Sequence, residues 1–257
     1  MPERTPTPLR SFRALAQGYL PRLFQVRGWI LAALATLPVV LTLVLQTLMS
    51  HREGPPALSQ ELFHGSLVRF ILPIMAIVAA PAGILEDLEQ RTLPLLLTRP
   101  TPAWLLPLGK GLIWFAWGAL WLGMASLGFT LLGAGIDTVF RMGLALTAAY
   151  WAQQAFLSLL GLHFRRGIFW GALYLFLWEP VVRMFPGQLQ RLTLLHYIES
   201  IAGPPATQAS LSSQASITTP WYLSLVVLGA FGLICWMLCG WRLQRTPVGL
   251  AGRDAEG

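Results

Sequence analysis

Long apolar runs separated by short charged or proline-containing segments are the main feature of this chain. A helix needs about 20 predominantly apolar residues to cross the hydrocarbon of a bilayer. By that criterion the runs predict transmembrane helices at 28–50, 66–85, 111–136, 142–162, 167–183 and 221–241. We therefore expect a single all-α integral membrane domain with about six transmembrane helices.

The segment 1–27 has a different pattern, in which apolar residues recur at helical spacing and arginines lie off the apolar stripe. Arg10, Arg13 and Arg22 are the off-stripe residues. The stripe consists of Leu9, Phe12, Leu15, Ala16, Tyr19, Leu20, Leu23 and Phe24. This pattern predicts an amphipathic helix in the cytoplasmic interface, with its arginines facing anionic head groups.

The fifth apolar run is unusually short, because Glu179 and Pro180 follow soon after Arg166. A helix that breaks at membrane depth is predicted there, followed by short outer helices within 184–220. Glu179 has two interpretations that we weigh equally. It is a structural partner of Arg183 one helical turn away, or it lines the exit of a pathway. Tyr197 joins these two residues as a candidate for an outer gate.

Composition and charge distribution agree with a membrane protein. The 257 residues are 55% apolar and 11% charged, whereas soluble domains carry about 25% charged residues. With the N-terminus in the cytoplasm, 13 of the 18 basic residues lie on the cytoplasmic side, as the positive-inside rule requires. Both termini, the segment 86–110 and the tail 242–257 are then cytoplasmic.

Several functional classes are disfavoured. The net charge of +7 forms no continuous basic face, so a nucleic-acid partner is not expected. Gly109–Lys110 is the only Gly-Lys pair, and Trp104 and Gly111 stand where a phosphate-binding loop needs glycine and Ser/Thr. The runs contain no paired carboxylates and no metal-ligand spacing. We therefore expect no catalytic, metal-binding or cofactor-binding residues, and no enzyme activity, in this chain.

The segment 86–110 reads EDLEQRTLPLLLTRPTPAWLLPLGK. Glu86, Asp87 and Glu89 stand where acidic residues stabilise a helix N-terminus. A set of leucines follows, before Pro100 and Pro102 interrupt the pattern. A simple connecting loop does not need that much leucine, so the segment predicts a short amphipathic helix that contacts another molecule.

Two sets of residues stand out for their order along the chain. The first comprises Glu86, Glu89, Thr92–Leu93, Leu96–Leu97, Pro100 and Gly109–Lys110, and the second comprises 174–179, Pro186, 191–193 and His196–Tyr197. Together they resemble the membrane subunits of ABC-2-type ABC transporters, and the second set is similar to a bacterial subset of that family. The chain departs from the family at Arg91, where glycine is usual, and at Ala103 or Trp104, where a basic residue is common.

The resemblance implies a permease subunit in the bacterial cytoplasmic membrane, and an exporter in most of the family. A coupling helix in 86–110 would dock on a separate subunit that binds ATP and Mg and hydrolyses the ATP. A second copy or a related permease would complete the transmembrane pathway. The residues implied to contact the ATPase subunit are Glu86, Asp87, Glu89, Arg91, Thr92, Leu93, Leu96, Leu97, Arg99, Arg165 and Arg166.

Two alternatives from other classes stay open at this point. One is a non-transporting membrane scaffold or anchor within a complex, which would need the spans but no coupling segment. The other is a membrane-embedded enzyme, which would use Glu179 as its ionisable group.

Overall fold

A computed structural model describes residues 17–49, 63–80, 105–131, 133–164, 166–183, 185, 188–203 and 219–245. Over these residues the secondary structure is helical and contains no strand. The helices are α1 (residues 17–23), α2 (Val26–Met49), α3 (Phe63–Ala79), α4 (Leu105–Ser126), α5 (Gly128–Leu131), α6 (Ile136–His163), α7 (segments Gly167–Leu173, Tyr174–Trp178 and Glu179–Arg183), α8 (Leu194–Ala202) and α9 (Trp221–Arg245).

Three of the described helices are long and apolar enough to cross a membrane. They are α2 over Val26–Val44, α4 and α9, with mean hydropathies of 1.8, 1.3 and 2.2. Two shorter apolar helices, Phe63–Ala79 and Gly167–Val182, lie beside them in sequence. The predicted class, an all-α membrane protein, is confirmed at this level.

The helix α6 lies at the centre of the bundle. It packs against α3, α4, α7, α8 and α9. Tyr150, Leu146 and Ala149, near its middle, are completely buried. Large side chains of α2, α7 and α9 instead remain exposed on the outside, as expected of helices that face lipid.

Glycines opposite aromatic rings set the closest helix contacts. A Cβ at Gly118 of α4 would overlap the ring of Tyr150, and one at Gly232 of α9 would overlap the ring of Trp151. Inside a membrane, apolar side chains gain little by leaving lipid, so helix association depends on close packing. Small residues allow that close packing. The central helices are therefore held by aromatic side chains inserted against glycine backbone.

Two helices widen into a π-turn just before a proline. In α3 the Leu72 amide donates to the Leu67 carbonyl, one residue before Pro73. In α7 the Glu179 amide donates to the Tyr174 carbonyl, one residue before Pro180. The wider turn accommodates the proline ring and its missing N–H. The helix α7 therefore runs from Gly167 to Arg183, the bounds predicted for the fifth span, and it passes Glu179 without the break that was also predicted at membrane depth.

The observed helices differ from the predicted spans mainly at α4. It begins at Leu105 and ends at Ser126, whereas the predicted span was 111–136. Ser126 Oγ donates to the Gly123 carbonyl at 2.6 Å, and Gly133 takes a φ of 75° in the turn that leads to α6. The short helix α5 lies between them. Residues 81–85 of the predicted second span lie outside the described residues.

We use two names for the ends of the bundle. The basic end carries α1, Lys110, Arg166 and the last turn of α9, where Arg242 and Arg245 lie. The α8 end carries α8 and the 3₁₀ turn Gln188–Leu192.

Candidate functional site

Most of the predicted ATPase contact lies outside the described residues. This holds for Glu86, Asp87, Glu89, Arg91, Thr92, Leu93, Leu96, Leu97, Arg99 and Arg165. The structure does describe the end of the segment, where Gly109 and Lys110 lie in the first two turns of α4. It also describes Arg166, so the site is built from these residues and from their neighbours.

Lys110 is a buried cation at the basic end. Its side chain is 1% exposed, and Nζ lies 4.3 Å from the centroid of the Tyr19 ring in α1. The Arg22 guanidinium carbon lies 4.7 Å from the centroid of the same ring. A cation near an aromatic face is attracted by the ring quadrupole, more strongly where water is excluded. The lysine therefore connects the end of the 86–110 segment to α1.

Next to Lys110, Gly111 is enclosed by two other helices. A Cβ at Gly111 would overlap the Trp236 ring of α9, and its carbonyl accepts a 3.4 Å hydrogen bond from Gln154 Nε2 of α6. Polar side chains buried between membrane helices add specific contacts to apolar packing. Gly109–Lys110–Gly111 thus joins α1, α4, α6 and α9 at the basic end.

Arg166 lies in the turn between α6 and α7, the second contact implied for an ATPase subunit. Its side chain is exposed, and its carbonyl accepts a hydrogen bond from the Trp170 amide at 3.2 Å. The turn is tight, because a Cβ at Gly167 would overlap the Leu160 carbonyl. A rigid turn of this kind holds Arg166 at the surface of the basic end.

At the other end, Glu179 holds the beginning of α8. Its side chain is 3% exposed, and Oε1 accepts a hydrogen bond from the Leu194 amide at 3.1 Å. Thr193 Oγ1 accepts from the His196 amide at 3.3 Å. The first amides of a helix have no intrahelical partner, and a carboxylate is stabilised by the positive end of the helix dipole.

The described hydrogen-bond partner of Glu179 is the Leu194 amide of α8, which neither sequence interpretation of this residue had considered. The predicted partner, Arg183, is the last residue of α7, and its side chain lies outside the described residues. The third gate candidate, Tyr197, is half-buried against the core and packs edge-on to His196, with ring centroids 5.3 Å apart.

Two further contacts secure α8, and sequence reasoning missed both. Arg69 of α3 forms an ion pair with Glu199 at 3.7 Å. His196 Nε2 lies 2.9 Å from Thr219 Oγ1, just before α9. Burial first, and then the nearby Arg191, lower the pKa of His196 below its ordinary value. The sequence does carry a signal for the helix α8 itself. Thr193 is a capping residue, and Leu194, Leu195, Ile198 and Ile201 follow it at helical spacing.

The described residues contain no group of three or more His, Cys, Asp or Glu side chains that could hold a metal ion. Cys235 and Cys239 are both buried as free thiols in the core between α6 and α9. Two networks of contacts connect helices at opposite ends of the bundle, one around Lys110 and one around Glu179.

No protein-family model, no curated protein and no solved structure matches this chain.

Proposed function

We propose that this chain is the permease subunit of an ABC-2-type transporter and that it exports its substrate, as most of that family does. In this proposal α2, α3, α4, α6, α7 and α9 are six spans in a bacterial cytoplasmic membrane. Both termini lie in the cytoplasm. The motif order from Glu86 to Lys110 and from Tyr174 to Tyr197 supports the assignment, together with the three apolar helices.

The observation that carries the proposal is the burial of Lys110 against Tyr19. A coupling helix transmits force only if its end is fixed to the helices that must move. Here the end of 86–110 is fixed to α1 through Lys110 and to α6 and α9 through Gly111. Closure of two ATPase subunits would then shift these helices as a rigid unit, in the manner of hinge and shear motions.

The partner subunit would bind ATP and Mg, and a second copy of this chain or a related permease would complete the pathway. The exposed Arg166 would supply the smaller of the two contacts with the ATPase subunit. The described interior contains few charged side chains, with Lys110 and Glu179 the buried ones. A hydrophobic or amphipathic cargo suits such an interior better than a strongly charged one.

The test is purification of the tagged chain from its own host in mild detergent, followed by an ATP hydrolysis assay. We expect an ATPase subunit to purify with it. Alanine at Thr92, Leu93, Leu96 and Leu97 should release that subunit or abolish its stimulated turnover. The matched control replaces Ser210, Leu211, Ser212 and Ser213 with alanine in the predicted outer segment. A chain that purifies alone and inert would refute the proposal and favour a scaffold or anchor.

A further inference from the structure

An open groove lies at the basic end, where α1 turns into α2 and both face α4. Its volume is about 820 Å³. The floor is the buried Trp114, and the apolar walls include Phe24, Trp29 and Ala33. Phe24 and Trp29 are both more than half exposed. Exposed aromatic side chains at a helix end are typical of the region where lipid head groups meet acyl chains.

The groove is formed by a rigid turn. The amides of Phe24 and Gln25 donate to the carbonyls of Pro21 and Arg22, each at 3.2 Å. Gly28 has no Cβ, and one would overlap the Leu23 carbonyl. Trp117 of α4 holds the start of α2 against α4, because its Nε1 donates to the Gly28 carbonyl at 3.0 Å. The groove is therefore built into the fold and does not need a ligand to form.

Two arginines give the groove its charge. Arg22 and Arg27 both line it, one before the turn and one just inside α2. The Arg22 guanidinium is oriented by its contact with the Tyr19 ring. Paired guanidinium groups bind phosphate oxygens with well-defined geometry. An apolar trough beneath them offers space for the chains attached to such a phosphate.

We infer that this groove is a specific site for one anionic phospholipid. Its phosphate would lie between Arg22 and Arg27, and an acyl chain would lie along Trp29 and Ala33. Basic pockets between helices on the cytoplasmic side are suited to anionic head groups. Residues 1–16 are a poor alternative occupant, because they carry Arg4, Arg10 and Arg13 against a single acidic residue, Glu3.

The test is a lipid titration of the purified full chain in neutral detergent, followed by native mass spectrometry and thermal unfolding. Phosphatidylglycerol should bind with one-to-one stoichiometry and raise the unfolding temperature, and phosphatidylcholine should not. Glutamine at both Arg22 and Arg27 should weaken binding about 30-fold, since each arginine near a membrane surface contributes about 1 kcal/mol. Ala33→Trp, which fills the trough and keeps both charges, should weaken binding to a similar degree.

The control is glutamine at Arg242 and Arg245, which removes two charges from the same end outside the groove. Binding should be unchanged in this control, and glycerol 3-phosphate should fail to compete. Equal weakening by the control pair would show general surface attraction and overturn the site. Effective competition by glycerol 3-phosphate, or full binding by Ala33→Trp, would overturn the role of the trough. Tighter lipid binding after deletion of residues 1–16 would assign the groove to that segment instead.

Discussion

The carboxylate of Glu179 accepts a hydrogen bond from the backbone amide of Leu194, fifteen residues later, at 3.1 Å. Thr193 Oγ1 accepts from the His196 amide, so two of the first three amides of α8 have side-chain partners. A buried carboxylate is costly unless its oxygens are satisfied, and the helix N-terminus supplies both donors and favourable dipole charge. The end of α7 and the start of α8 therefore form one unit.

Removing the Glu179 carboxylate should loosen α8. We expect Glu179→Ala to lower the free energy of unfolding by about 1–3 kcal/mol, because the buried Leu194 amide loses its acceptor. Glu179→Gln keeps one acceptor oxygen and should cost less. Denaturant unfolding in detergent measures the stability, and hydrogen exchange measures the α8 amides directly.

Arg183→Gln separates this anchoring role from an ion pair between Glu179 and Arg183. An ion pair predicts similar losses for Glu179→Gln and Arg183→Gln. Anchoring predicts that Arg183→Gln leaves the exchange of the Leu194 amide unchanged. If Glu179→Ala also leaves that exchange unchanged, the anchoring role is wrong.

The glycine at Gly118 should be intolerant of a methyl group, in contrast to Gly123 on the same helix. A Cβ at Gly118 overlaps the fully buried Tyr150 ring, whereas a Cβ at Gly123 meets nothing within 4 Å. We expect Gly118→Ala to destabilise by about 1–3 kcal/mol through overpacking. Gly123→Ala should be neutral or stabilising by up to about 1 kcal/mol, because alanine favours the helix. The measurement is the midpoint of thermal unfolding of each variant. Equal midpoints would contradict the close contact between Gly118 and the Tyr150 ring.

The sequence predicted the helical class and the membrane location because both depend on local composition. The apolar runs containing α2 and α9 are long, and no charged residue interrupts their centres. The course of α7 was harder to predict, because a proline breaks a regular α-helix, whereas a π-turn before Pro180 accommodates it. Single-sequence patterns carry no signal for which proline will be accommodated.

The contacts that define the candidate site were beyond prediction for a different reason. Tyr19 and Lys110 meet across the bundle, and so do Arg69 and Glu199. Such pairs form only where two helices pack together. The spacing of residues along one helix does not show which other helix it packs against. Only the Thr193 cap of α8 had a local signal, a Thr just before an apolar helical stripe.

The contact between Tyr19 and Lys110 should appear as an energetic coupling. In a double-mutant cycle of Tyr19→Leu and Lys110→Met, we expect a coupling of about 1–2 kcal/mol for a cation–π contact from which water is excluded. The cycle also subtracts the effect of Arg22, which contacts the same ring. Tyr19→Phe keeps the ring and serves as the control, with little change in stability. Additive losses in the double variant would show that the two side chains do not interact.

His196 should make stability depend on pH. Burial and Arg191 lower its pKa in the folded protein, so the unfolded chain binds its proton more readily. Its contribution is then fully present above the unfolded pKa of about 6.5 and is lost as pH falls below it. When the pH is lowered from 7.5 to 5.5, the free energy of unfolding should fall less in the His196→Gln variant than in the native chain. Equal losses would assign the acid sensitivity to other groups.

The acidic residues before the leucine set should determine coupling to the ATPase subunit. We expect lysine at Glu86, Asp87 and Glu89 to uncouple ATP turnover from transport. The surface that we propose to dock on the ATPase subunit would change from acidic to basic. The spans should stay folded, since added lysines on a cytoplasmic segment agree with the positive-inside rule.

The matched control places lysine at Glu3, Asp254 and Glu256, which gives the same charge change on the same predicted side. Transport and ATP hydrolysis are measured together in proteoliposomes. Retained coupling in the first triple variant, or equal loss in the control, would count against a docking role for 86–89.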